Sequence, residues 1–414
     1  MAANEARVGI RRAGRSSMFA NGSARWGHSR PWLVASVCVI ACAAFGMLTG
    51  AANAASTTSL PSWTQYVPGS GYTPSWTQYV PGAGLFGKGG STLPGGSTLA
   101  GGGSTGGGSS SAAAAALPGQ SFSGTFRNSS GSLDYIGYVP TSYKAGSSVP
   151  LVVALHGCTE TADGFRQLTR WDQLAEAKGF IVVFPQQSKA NNNLLCWNWF
   201  QAPHMQRGSG EPSLIAGITR WVQQNYSIEA HRTYVSGFSA GGAMSSVMAA
   251  TYPDLFAAAG IESGCEYAAT ATCAGYKSSD PAQAGQQAAT AMGPYKRAMP
   301  VILFQGDQDQ IVPPANADQI VEQWKTTDDL ADDGAKNGSM STFPKTTFGQ
   351  VKNGRSYTVK SYSDGHKNEL IQYWLVRGMG HAWSGGCDCE QYAEPSGPDA
   401  TGAMYAFFMN HPMP

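Results

Sequence analysis

The sequence predicts an α/β protein: a mostly parallel sheet flanked by helices on both faces. Three observations carry that prediction. Short continuous apolar runs recur at residues 149–155, 180–184 and 300–304, the pattern of strands buried on both faces. Segments with apolar residues at helical spacing stand between them, and strands that alternate with helices feed a parallel sheet. Residues 232–251, RTYVSGFSAGGAMSSVMAAT, then read as a strand, a sharp turn at Phe238-Ser239 and a helix-favouring series. That context gives Gly-x-Ser-x-Gly a mechanism. The serine sits on a tight elbow with its hydroxyl presented outward, and glycines two before and two after it let strand and helix approach closely. The bland alternative is a structural serine at a glycine-rich turn. A second match, around Ser104, has neither a strand before it nor a helix after it, so Ser239 is the candidate nucleophile.

Taken in order, the 414 residues begin with a segment of targeting character. Residues 1–54 hold scattered arginines, an apolar run at 31–50 and the small-x-small site Ala52-Asn53-Ala54, which predicts a signal peptide. An uncleaved anchor and, from Arg11-Arg12, twin-arginine export are the alternatives. The mature protein is expected outside the cytoplasm, extracellular or periplasmic, with no stable membrane insertion after cleavage. Residues 55–120 carry PSWTQYVPG twice, at 61–69 and 74–82, and then a Gly/Ser-rich tract. Two copies are too few for a solenoid, and the tract has too few apolar side chains for a core, so a disordered tether is expected. The repeat is a plain spacer or a sticky, polymer-contacting element.

Residues 121–414 are expected to form the catalytic domain. Strands are placed at 132–140, 149–155, 180–184, 255–261 and 300–304, with paired strands at 356–362 and 370–376. Helices are placed at 162–178, 211–226, 315–325 and 399–410, and a polar, acidic insertion at 326–354. Sheets of this kind bind ligands at the carboxyl ends of their strands, where Ser239 lies. With 13% charged residues and a net charge of +1, nothing suggests a nucleic-acid partner or a basic membrane patch. Of the eight cysteines, Cys38 and Cys42 leave with the signal, and the other six, in an exported chain, read as disulfides. Their spacings match no zinc ligand set, and neither metal nor organic cofactor is implied.

A serine hydroxyl needs a histidine to take its proton, and the histidine needs a carboxylate to fix its tautomer. Asp307 and Asp309 both follow the strand at 300–304; Asp309, just before Ile311-Val312-Pro313, is preferred, with Asp307 as competitor. His381 follows the strand at 370–376 on a glycine-flanked loop and is the best placed of seven histidines. The anionic intermediate needs preorganised donors. The backbone N–H groups of Ala240, after the nucleophile, and of Cys158, after the first central strand, are the candidates.

Six separated blocks carry a family resemblance: LHGCTETADGF (155–165), CWNWF (196–200), QRGSGEPSLIAGITRWV (206–222), SGFSAGGAMSSVMAATYPDLFAAAGI (236–261), FQGDQDQIVPP (304–314) and WLVRGMGHAWSGG (374–386). Together they resemble the poly(3-hydroxybutyrate) depolymerase family of secreted esterases, the group with an extracellular type 1 catalytic domain. The resemblance implies an α/β-hydrolase fold, with Ser239 as nucleophile, Asp309 as acid, His381 as base, and Cys158 and Ala240 as oxyanion donors. It also implies a Cys158–Cys196 pair, which would place Trp197 and Trp199 as apolar walls for the substrate; core tryptophans are the alternative. The sequence-local pair Cys265–Cys273 is then the simplest second bridge. Two departures stand out: no C-terminal polymer-binding module is expected after residue 414, and Cys387-Asp388-Cys389 falls outside the family pattern. The expected function is secreted ester hydrolysis through an acyl-enzyme, on polyhydroxyalkanoate or its oligomers. A feruloyl or acetylxylan esterase is the alternative, and a surface adhesion protein with an inactive hydrolase domain is the alternative from another class.

Overall fold

The computed structural model describes residues 116–274 and 280–414. The signal-peptide reading of residues 1–54 lies outside the described residues, as does nearly all of the tether. The chain enters with β1 (Gln120–Asn128) and β2 (Gly131–Val139), then β3 (Val149–Leu155), α1 (Ala162–Thr169), α2 (Trp171–Lys178) and β4 (Ile181–Gln186). α3 (Gly210–Asn225), β5 (Ile228–Phe238), α4 (Ala240–Thr251), β6 (Ala259–Glu262) and α5 (Pro281–Met292) follow. The rest is β7 (Val301–Gly306), α6 (Ala315–Asp332), β8 (Lys345–Gln350), β9 (Ser356–Ser363), β10 (Glu369–Val376), the short pair β11 (Trp383–Ser384) and β12 (Ala393–Glu394), and α7 (Ala400–Met409).

Ten strands form one sheet in the order β1-β2-β4-β3-β5-β6-β7-β10-β9-β8. The six from β4 to β10 run parallel, and antiparallel partners close both edges. This is the α/β-hydrolase arrangement. Alternation along β3 explains the two cores: Leu151, Val153 and Leu155 face a cluster that includes residues of α3, α4 and α6, while Val152 and Ala154 face one that includes α1, α2 and α7. Burying one such aliphatic side chain contributes about 1.5–3 kcal/mol. Fully buried central strands therefore hold the carboxyl ends of the sheet still, and the site sits on those ends.

Several elements differ from the sequence expectation, among them β1, β8, β11 and β12, for which no strand is placed above. The helix at 162–178 is two helices, because Arg170 adopts φ 55° between them; the break turns Trp171 inward, edge-on to Phe180 and stacked with Phe408. The strand at 255–261 is shorter and later, residues 259–262. α6 runs into the acidic insertion, where the buried Asp328 accepts the Met299 N–H and Asp329 accepts the Gly338 and Ser339 N–H groups. Carboxylates that bind backbone amides are tolerated inside, so acidity there does not mark a loop. α5 carries no sequence assignment above, although Asp280 caps it through the Ala282 N–H and Pro281 opens it, which is a legible start signal.

Candidate active site

Ser239 occupies the junction of β5 and α4 with φ 55° and ψ −118°, a conformation that a non-glycine residue adopts only under constraint. Its N–H donates to the Glu262 carbonyl at 2.9 Å. The flanking glycines are sterically required. A Cβ on Gly237 would lie 2.2 Å from the Gly241 carbonyl oxygen, and one on Gly241 would lie 2.0 Å from that of Leu155.

Three loops from the same end of the sheet bring the expected triad together. His381 Nε2 lies 2.9 Å from Ser239 Oγ, and His381 Nδ1 lies 2.8 Å from Asp309 Oδ2. Nδ1–H donating to the carboxylate leaves Nε2 free to accept the serine proton. Asp309 Oδ1 accepts the Ile311 and Val312 N–H groups, each at 2.9 Å, and Oδ2 also accepts from Gln305 Nε2 at 3.1 Å. Asp307 points elsewhere: it accepts the Gly378 N–H at 2.6 Å and faces Arg377 at 3.3 Å. The choice between the two aspartates is thus geometric, and only Asp309 touches the histidine.

Ala240 is the first residue of α4, so its N–H has no intrahelical acceptor. The Cys158 N–H finds no acceptor among the described backbone hydrogen bonds. Both residues line the pocket beside Ser239. The Cys158 loop is braced from several sides. Cys158 is disulfide-bonded to Cys196, the Thr159 N–H donates to the Leu194 carbonyl at 2.6 Å, and the Gly157 N–H donates to Glu160 Oε2 at 2.6 Å. Burial pushes the Glu160 carboxyl up to about 8. The neighbouring His156 is fully buried, which lowers it to about 4; its neutral ring bonds the Gly157 carbonyl through Nδ1 and accepts the Gln187 N–H at Nε2. His156 is therefore a structural histidine.

Of the two tryptophans expected as substrate walls, Trp199 lines the pocket. Trp197 does not. It is fully buried, its indole N–H donates to the His156 carbonyl at 2.9 Å, and it belongs to the core under the oxyanion loop. In a regular strand residues two apart would share a face; here the segment is irregular and turns at residues 199–200, which lets the two rings part. The buried carboxylate of Glu211 shapes this segment by accepting the Asn198 backbone and side-chain N–H groups at 2.7 and 2.6 Å.

The pocket is a cavity of about 110 Å³. Besides the residues named, its walls include Ile311, Cys265 and Cys273, the last two joined as a disulfide, and Tyr392. Sequence reasoning missed Tyr392 and the Glu160 and Glu211 braces, since no local pattern marks them. Among the described residues, no cluster of His, Cys, Asp or Glu is arranged to hold a metal ion, and no helix is long and apolar enough to cross a membrane.

A family described as "Esterase PHB depolymerase" matches residues 133–342, a stretch that holds Ser239 and Asp309 and ends before His381. Poly(3-hydroxyalkanoate) depolymerase C of Paucimonas lemoignei is 34% identical over 264 residues, 62% of this chain and 60% of that protein. The chain thus spans less than two thirds of that relative's length. A probable acetylxylan esterase A of Aspergillus flavus is 33% identical over 231 residues, 51% of this chain and 73% of that one. An acetyl xylan esterase structure from Aspergillus awamori aligns with a TM-score of 0.53 at 24% identity, over 67% of this chain and 94% of that chain, a likeness of fold.

Proposed function

The chain belongs to the esterase PHB depolymerase family, and on that premise we propose that it is a serine carboxylic ester hydrolase acting on short hydroxyalkanoate esters. The observation that carries this reading is the 2.9 Å approach of His381 Nε2 to Ser239 Oγ at the mouth of a small apolar pocket. The cavity is small, about 110 Å³, which suits a short acyl group better than a long chain.

Ser239 Oγ attacks the ester carbonyl carbon as its proton passes to His381 Nε2. Asp309 holds the imidazolium, and the Cys158 and Ala240 N–H groups take the charge on the carbonyl oxygen. Collapse breaks the bond to the alcohol oxygen, which leaves with the proton from Nε2. A water, deprotonated by the same nitrogen, then cleaves the acyl-enzyme and releases the acid.

Hydroxyalkanoate is preferred as substrate because the matching family and the Paucimonas relative are both named for polyester depolymerases. The acetylxylan esterases among the relatives support a second reading, removal of acetyl groups from a polysaccharide, which the pocket is also small enough to serve. Three disulfides among the described residues support export. Wild type assayed on polyhydroxybutyrate film, 3-hydroxybutyrate oligomers, p-nitrophenyl acyl esters and acetylated xylan separates the two readings. Activity confined to acetylated xylan would replace the first with the second. Ser239→Ala should lower turnover by about 10⁴-fold or more on every ester cleaved, and a variant keeping a tenth of the activity would refute the nucleophile.

A further inference from the structure

The Cys387-Asp388-Cys389 segment, outside the family pattern, forms a disulfide across a single residue. The Cys387 N–H donates to the Leu168 carbonyl at 3.0 Å, which ties this loop to the end of α1. Downstream the chain passes through Tyr392, whose φ of 65° lies in the left-handed region. A bulky aromatic residue there is an outlier. Its neighbours hold it: the Trp383 N–H donates to the Tyr392 carbonyl at 2.7 Å, Ala393 and Glu394 pair with Trp383 and Ser384, and the Glu394 carboxylate accepts from Arg355 Nε at 2.8 Å. Backbone held against its preference beside a reactive centre raises the question of what its side chain does. The ring lines the pocket, meets His381 edge-on with centroids 5.9 Å apart, and packs on Phe238 at 6.0 Å. The other large aromatic walls are core-locked: Phe238 is 1% exposed, and Trp199 is 8% exposed and braced by Phe200. Tyr392 is half-buried and comes from a segment far from both in sequence.

We propose that Tyr392 is the specificity-determining wall of the acyl pocket, held in place by its cross-linked loop so that long acyl chains are excluded. The inference rests on the esterase reading and is independent of whether the natural ester is a polyester or a polysaccharide acetate. Tyr392→Gly is the informative variant, because glycine adopts φ 65° freely and the backbone should keep its path.

The test is the ratio of kcat/KM for p-nitrophenyl octanoate to that for p-nitrophenyl butyrate. Wild type should disfavour octanoate by about tenfold or more. Tyr392→Gly should raise the ratio by about tenfold, Tyr392→Phe should hold the wild-type ratio, and Tyr392→Trp should lower it and move preference from butyrate toward acetate. A merely structural tyrosine would change overall activity or melting temperature and leave the ratio alone. The proposal is overturned if wild type cleaves octanoate as readily as butyrate, or if the glycine variant keeps the wild-type ratio. Should the glycine variant fail to fold, a tryptophan variant with an unchanged ratio overturns it alone. Failure of the substrate reading looks different: wild type would cleave butyrate yet ignore hydroxybutyrate oligomers.

Discussion

The turn that carries Asp309 and the loop that carries Cys158 leave the same end of one sheet, yet they are held in shape by different means. The acid turn, though its first residues also bond Val376, Gly378 and Met379, closes around its carboxylate from within. Asp309 takes the amides of Ile311 and Val312, and Gln305 spans the turn to Asp309 and the Val312 carbonyl, all within eight residues. The Cys158 loop has local contacts of its own, such as Gly157 to Glu160, but is otherwise held from far away: by Cys196, by Trp197 on the His156 carbonyl, by Gln187 on the His156 ring, and behind these by Glu211. A turn closed by its own side chains is written in a short motif. A loop shaped by residues thirty or more positions away exists only once the sheet has assembled.

The largest effect expected from this difference lies in the acid turn. Asp309→Asn should lower turnover by about 10⁴-fold, because an amide supports the wrong histidine tautomer. Asp307→Asn, which loosens the contacts to Gly378 and to the exposed Arg377, should cost less than about tenfold. Steady-state kinetics on a short acyl ester decides, and the reverse ranking would move the acid role to Asp307.

Next comes the long-range brace. Cys196→Ser should destabilise by about 2–4 kcal/mol, read by denaturant unfolding. Its turnover should also fall, by about tenfold, as a share of the 10²–10³ that one oxyanion donor supplies. Full turnover with lowered stability would show that packing alone holds the Cys158 amide. Glu211→Ala should cost a further-reaching but smaller amount, about 1–3 kcal/mol, for the Asn198 donors it strands in the interior. Double-variant cycles with Cys196→Ser should be non-additive, since both act on one segment.

The smallest effect is in the pH dependence of stability, and it belongs to the Cys158 loop. Burial keeps Glu160 protonated up to about pH 8 against an ordinary value of 4.5, so unfolding releases a proton in between. Stability from this group falls as pH rises from about 4.5 to about 8. His156, buried and lowered to about 4 from 6.5, acts oppositely: unfolding takes up a proton, so stability falls as pH drops from 6.5 toward 4. The two slopes oppose each other in the overlap, and above pH 6.5 only the Glu160 decline remains. Melting temperatures of Glu160→Gln should therefore flatten on the alkaline side. An unchanged alkaline slope would place the proton elsewhere.

The nucleophile elbow, the order of serine, acid and histidine, and the two-faced parallel sheet were legible because each is a local pattern. A glycine is needed wherever two backbones nearly touch, a carboxylate wherever a turn leaves amides open, and an unbroken apolar run wherever a strand is covered twice. The break at Arg170 escaped the pattern because its apolar spacing continues through the kink, and α6 outran its expected end because buried aspartates bind backbone amides. Between Asp307 and Asp309, sequence position expressed a preference, and only the approach of His381 over the sheet selected one. For Trp197 and Trp199, the family resemblance implied both as walls, and the structure separated them: one ring is in the core with its N–H on the His156 carbonyl, the other lines the pocket. Cys387 and Cys389 were visible in the sequence as half-cystines, but the role of Tyr392 belongs wholly to the tertiary structure. The place of Tyr392 beside Ser239 depends on which strands are neighbours in the assembled sheet, and that order is a sum of contacts between distant residues, which spacing along the chain does not record.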